Sequence, residues 1–159
     1  MRYFIILAIA ILCLSAVPKP NPPLDFTVLK AEKQTFYGGV AGSPVVTTYT
    51  LYAKAKRTFH ISVDSAWAEG KSDRACILLD SGKCRQDWIV DIGEIVRFQV
   101  QIKTASTLGG GNNQFEIPGS VDRKSPIRVK NLLCIRYKGN KNNYLIINSI
   151  KTLTPILGQ

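Results

Sequence analysis

Apolar and polar side chains alternate most cleanly between Glu94 and Lys103. Val96, Phe98, Val100 and Ile102 fall on one side of the chain, and Arg97, Gln99, Gln101 and Lys103 on the other. A period of two predicts a β-strand with one face in a core and one in water. Ile127 to Lys138 repeats the pattern. Ile127, Val129, Leu133, Ile135 and Tyr137 share one face, and Arg128, Lys130, Arg136 and Lys138 share the other. Leu132 and Cys134 interrupt that polar face, so its middle is expected to be covered. Further strands are predicted over 25–31, 47–56, 58–65, 74–79, 86–90 and 144–153.

Turn chemistry separates these runs. Asp80-Ser-Gly-Lys83 reads as a tight turn in which Gly82 takes a positive φ. Glu69-Gly70-Lys71, Asp91-Ile-Gly-Glu94 and the stretch from Gly139 to Asn143 read as further strand-to-strand turns. Two glycine-rich segments stand apart, 38–44 and 104–120. The second is long for a compact domain, which usually marks a functional or disordered loop. About eight short strands at regular spacing predict an all-β fold of two packed antiparallel sheets, an immunoglobulin-like β-sandwich. No internal repeat is present, and residues 24–159 read as one domain.

The N-terminus follows a different pattern. Arg2 precedes an apolar run from Tyr3 to Val17, interrupted only by Ser15. A positive start, an apolar stretch of about 15 residues and a small residue ahead of polar sequence make an export signal. A bilayer span needs roughly 20 apolar residues, so the run is short for an anchor. Residues 1–16 are therefore read as a signal peptide cleaved after Ala16, and 17–23, with four prolines, as a stiff extended leader. Lipid attachment through Cys13 is disfavoured, because the large Ile11 and Leu12 precede it. The protein is expected outside the cytoplasm, periplasmic or secreted, with membrane association left open.

Composition adds a charge of +10. Such a balance favours acidic surfaces: anionic envelope polymer, a lipid surface, an acidic face of another exported protein, or nucleic acid. Nucleic acid is the least expected of these, since no stacking motif of the RNA-recognition type is present. Cys76, Cys84 and Cys134 remain once the signal is removed, an odd number for an oxidising compartment. A Cys76–Cys84 bridge would close the hairpin around residues 80–83 and leave Cys134 as a buried thiol. Pairing of either with Cys134 is the competing arrangement.

Candidate chemistry is sparse. His60 is the only histidine, and no activated nucleophile accompanies it. The cysteines lack the close pairs that zinc sites use, so no metal is expected. Leu108-Gly-Gly-Gly-Asn-Asn lacks the Lys-Ser/Thr of a phosphate loop, and no cofactor is implied. The carboxylates Asp64, Glu69, Asp73, Asp80, Asp87, Asp91 and Glu94 show no hydrolase context, although glycosidase pairs are distant in sequence and spacing does not exclude them. Exposed aromatics such as Trp67 and Trp88 could stack on sugars, but more often pack across strands.

Three segments, Phe36-Tyr-Gly-Gly-Val-Ala-Gly-Ser43, Thr48-Tyr-Thr-Leu-Tyr52 and Asp64-Ser-Ala-Trp-Ala-Glu-Gly-Lys71, resemble a family of small exported bacterial proteins. Asp91-Ile-Gly-Glu-Ile95, Lys130 to Tyr137 and Tyr144 to Asn148 continue the resemblance. It implies a sandwich fold and an exported location and carries over no site. The cysteines lie outside that pattern.

The resulting expectation is an exported, non-enzymatic binding or envelope accessory domain. Its contact face would be the row Arg128, Lys130, Arg136 and Lys138, at about 7 Å per two-residue step, with Arg97 and Lys103 nearby. The alternative is a small envelope hydrolase or sugar-active enzyme whose carboxylates converge only in three dimensions.

Overall fold

A computed structural model describes residues 25–39, 43–104, 106–108, 115–117, 121–122, 133–139 and 142–158. The expected signal and leader, residues 1–23, and the row residues Arg128 and Lys130 lie outside the described residues. Fourteen strands follow one another: β1 (Phe26–Tyr37), β2 (Val46–Ala55), β3 (Phe59–Ala68), β4 (Lys71–Leu78), β5 (Cys84–Arg85), β6 (Asp87–Val90), β7 (Ile95–Lys103), β8 (Ser106–Leu108), β9 (Phe115–Ile117), β10 (Val121–Asp122), β11 (Leu133–Lys138), β12 (Asn142–Ile147), β13 (Lys151–Thr152) and β14 (Ile156–Leu157). The described residues contain no helix, as the period-two patterning requires.

The expected division into two packed sheets is not what the described strands form. Twelve of them join one hydrogen-bonded sheet in the order β12-β11-β3-β4-β7-β2-β1-β13, with β5, β6, β10 and β14 pairing off this path. The sheet curls into a half-barrel. Its continuity comes from β4, which pairs with β3 through residues 71–74 and with β7 through residues 75–77. The two halves of the path therefore meet within one strand. Ser106 to Leu108 and Phe115 to Ile117, within the expected long loop, form their own antiparallel pair.

One face of the curl is apolar. Tyr49, Leu51 and Ala53 of β2 stand beside Val100, Phe98 and Val96 of β7, and all six are buried. Ile61, Val63, Ala66 and Ala68 of β3 and Leu133, Ile135 and Tyr137 of β11 complete the lining. The Phe26 ring contacts Phe59, Phe98 and Tyr137 edge-on, at centroid distances of 5.4, 5.4 and 5.5 Å. Those rings come from β1, β3, β7 and β11, so one phenylalanine ties the two halves of the path together across the interior. Edge-to-face pairs of this kind add to the stabilisation from area burial.

The turns match their sequence chemistry. Glu69 (φ 53°) and Gly70 (φ 79°) are both left-handed, the signature of a type I′ hairpin between β3 and β4. In the β4–β5 hairpin, Gly82 has φ 76°, and its amide donates to the Leu79 carbonyl at 2.9 Å. The last predicted strand, 144–153, is divided: β12 ends at Ile147, and the chain then crosses to the far edge of the sheet. There β13 and β14 pair in parallel with β1.

Candidate functional site

Of the four row residues, Arg136 and Lys138 are described, both on β11. Arg136 does not offer a free positive charge. Its guanidinium holds Asp64 through two hydrogen bonds, the Nε–Oδ1 one at 2.8 Å, and lies 5.8 Å from the Trp67 ring centre. The reason is a β-bulge. Arg136 pairs with Ser65 and Tyr137 with Val63, which makes Asp64 the extra residue on β3 and turns its carboxylate toward β11. Hydrogen bonding to Arg136, against a smaller desolvation cost, holds the Asp64 carboxyl below its usual range. Of the two described members of the row, Arg136 is paired with Asp64 beside the Trp67 ring and Lys138 is exposed.

The cysteine expectation holds. Cys76 and Cys84 are bridged, with Cα atoms 5.5 Å apart, and Cys134 is fully buried. The bridge is diagonal, since Leu78 and not Cys76 stands opposite Cys84. Gln86 is by then leaving β4; its carbonyl accepts from the Val63 amide at 2.7 Å.

The feature that sequence reasoning did not assemble lies at one end of the half-barrel. There the β2–β3 connection (Lys56, Arg57, Thr58) and the β6–β7 turn (Asp91 to Glu94) lock together. The Gly93 amide donates to the Ala55 carbonyl and the Ala55 amide to the Glu94 carbonyl, both at 2.9 Å. The Ile92 amide donates to the Thr58 hydroxyl at 3.1 Å. Within the turn, the Glu94 amide donates to the Asp91 carbonyl at 3.0 Å, and Gly93 has φ 84°. A left-handed glycine at the third position, after a residue of negative φ, is the type II arrangement. It places Ile92 at the tip.

Beside this turn, His60, Arg85, Asp87, Trp88 and Ile89 line a shallow cleft of ≈ 380 Å³. β6 brings them together by pairing with the start of β3, Ile89 opposite His60 and Trp88 opposite Ile61. Trp88 is half-buried against the core. Its indole NH donates to Glu94 at 3.2 Å, and the Arg85 guanidinium sits 5.5 Å from its ring centre. Among the described residues, no hydrogen bond joins His60 to Asp87 or Ser62. No group of three His, Cys, Asp or Glu side chains there could hold a metal.

The other carboxylates serve the frame. Asp25 is bound by Arg57 and Tyr137, Glu69 by Lys33, and Asp80 by Arg97. The hydrogen bond from Lys33 dominates in holding the Glu69 carboxyl below its ordinary range. The Tyr49 hydroxyl is buried near Glu69 without making a well-formed hydrogen bond. Burial first, and then the neighbouring Glu69 carboxylate as acceptor and as charge, raise its pKa.

The turn end carries Lys54, Lys56, Arg57 and Arg85, all exposed. Ile89, Ile92 and Ile95 are 66%, 68% and 56% exposed. Its one legible signal in the sequence was an isoleucine inside a turn, Asp91-Ile-Gly-Glu94, where no core requires one. Compared with known proteins, the chain matches no family model and no curated relative.

Proposed function

We propose that this protein is an exported, non-enzymatic binding domain and that the turn end of the half-barrel, with the cleft beside it, is its binding surface. The observation that carries the reading is the company at this end: three exposed isoleucines beside three exposed cations, Lys54, Lys56 and Arg85, on a hydrogen-bonded frame. Contiguous apolar surface rimmed by charge marks an interaction site more often than a solvated face does. Export is supported by the Cys76–Cys84 bridge, since disulfides persist in oxidising compartments.

The hydrolase reading has two clefts to work in, one lined by Asp87 and His60 and a second lined by Asp80 and Glu94. A glycosidase needs two carboxylates about 5–10 Å apart; Asp87 is the single carboxylate of the first lining, and in the second Asp80 is paired with Arg97 while Glu94 accepts from the Trp88 indole.

Retention of the immobilised protein's partners from envelope extracts separates the two. Binding predicts a retained species that a Lys54→Gln/Lys56→Gln double variant releases at low salt. Shortening of a labelled envelope polymer, abolished by Asp87→Asn or by Asp80→Asn/Glu94→Gln, would replace the binding reading with the enzymatic one.

A further inference from the structure

We infer that the turn end docks on an anionic lipid surface, with Ile92 entering the headgroup layer and Lys54 and Lys56 meeting the phosphates. The inference rests on the binding reading above and names its partner.

Two independent observations converge. The first is the apolar tip. Single exposed isoleucines are ordinary on a protein surface, but Ile89, Ile92 and Ile95 fall within seven consecutive residues and are all more than half exposed. They are not exposed through slackness. The amides of Ile92 and Gly93 are bonded to Thr58 and Ala55, and the Asp91 amide is bonded to the Glu94 carboxylate at 2.9 Å. The protein holds an isoleucine out in water on a fixed turn.

The second is the charge around that tip. Lys54 is the cross-strand partner of Ile95, so their side chains share a face, and its stem runs beside Gly93. Lys56 and Arg57 follow in the adjoining connection, and Arg57 also holds Asp25. The nearby acids are turned to local donors. Asp91 accepts from the Thr58 hydroxyl at 3.4 Å, and Glu94 accepts from Trp88 and the Asp91 amide. Asp87 lies back in the cleft. Apolar insertion flanked by lysine is the combination that holds a protein on anionic lipid, since each lysine near the surface strengthens binding by about fivefold.

A projecting turn offers a rigid protein partner little area, whereas a fluid headgroup layer closes around it.

Co-sedimentation of the exported protein with vesicles tests this. Vesicles of phosphatidylglycerol and phosphatidylethanolamine are expected to retain it, and phosphatidylcholine vesicles to retain it at least tenfold less. Ile92→Asp is expected to weaken retention about tenfold or more. Lys54→Gln and Lys56→Gln should each weaken it about fivefold at low salt. Leu157→Asp, an equally exposed apolar position on β14, should have no effect. Unchanged circular dichroism of each variant keeps the comparison clean. Equal retention on neutral lipid, or indifference to Ile92→Asp, would overturn the inference. If no vesicle retains the protein but an envelope polymer or protein does through Lys54 and Lys56, the lipid assignment fails and the binding reading stands. If nothing is retained, both fail.

Discussion

The Tyr137 hydroxyl donates a 3.0 Å hydrogen bond to Asp25, across 112 residues of sequence and across the interior of the half-barrel. Asp25 is the buried charged residue of the described core. Arg57 Nε donates to its other oxygen at 2.7 Å. The pair lies next to the Phe26 aromatic cluster, and together they close the curl from within. Burial, then the neighbouring Asp25 charge, raises the Tyr137 pKa, so its proton stays in place.

Tyr137→Phe keeps the ring contact and deletes that donor. Asp25 then loses one partner in a place that water does not reach freely. The expected cost is about 1–2 kcal/mol, read as a lower urea midpoint at unchanged m-value. Asp25→Ala should cost more, because it unties Arg57 as well. A Tyr137→Phe midpoint equal to wild type would mean that the edge-on rings alone close the sheet.

Acid should weaken the fold through Asp64 and Glu69. Both folded pKa values lie below the model-peptide values of 3.8 and 4.5. The unfolded chain therefore takes up protons at a higher pH than the native one, and stability rises with pH through that window. The contribution is complete above about pH 5 and is lost as pH falls through the folded values. Both carboxylates are about half exposed, so each effect is modest. Asp64→Asn/Glu69→Gln should flatten the urea midpoint between pH 5 and 3. The same slope in the double variant would assign acid sensitivity to other carboxylates.

How much of this was legible follows the physics of each signal. Alternation in residues 94–103 located β7 to within one residue, because one face is buried along its whole length. Gly82 marked its turn, because only a glycine takes that φ without strain. β1 runs on to Tyr37, past the predicted end at Ala31. Its second half carries Lys33 and Gln34 and has a polar, half-buried pattern with no clear period. The curl itself was not readable, since the sharing of β4 between β3 and β7 is a matter of pairing partners that periodicity does not encode. The turn end, proposed above as the binding surface, was missed for a related reason. Lys54 and His60 are far in sequence from Trp88 and Ile92 and meet their segment only through β2–β7 and β3–β6 pairing.

The disulfide closes a loop with a sequence separation of 8. Loop-closure entropy for so short a ring amounts to about 2–3 kcal/mol. Cys76→Ser/Cys84→Ser should lose roughly that much on unfolding, while peptide mapping of the wild type should recover the 76–84 bridge alone. Cys134 is inaccessible between Trp67 on β3 and Ile146 on β12. It should react with a thiol reagent only after denaturation. A mapped peptide that includes Cys134 would refute the pairing.

Arg136 and Lys54 make opposite predictions, though both are cations on strands. Arg136 neutralises Asp64 and lies against Trp67, which is itself 6.5 Å from Tyr144. Arg136→Gln removes a local pair, so the long-range field of the surface changes by one charge while Asp64 is left without its main partner. The expected result is a stability loss within about 1 kcal/mol, the scale for a solvent-screened pair. The Asp64 carboxyl should move back up toward its ordinary pKa, since the hydrogen bond that lowers it is gone. Carboxyl titration by NMR reads that shift directly. Association with anionic vesicles or polymer should fall less than for Lys54→Gln, whose charge stands beside the apolar tip. If Arg136→Gln proved the more damaging to binding, the contact surface would be the outer face of β11 and not the turn end.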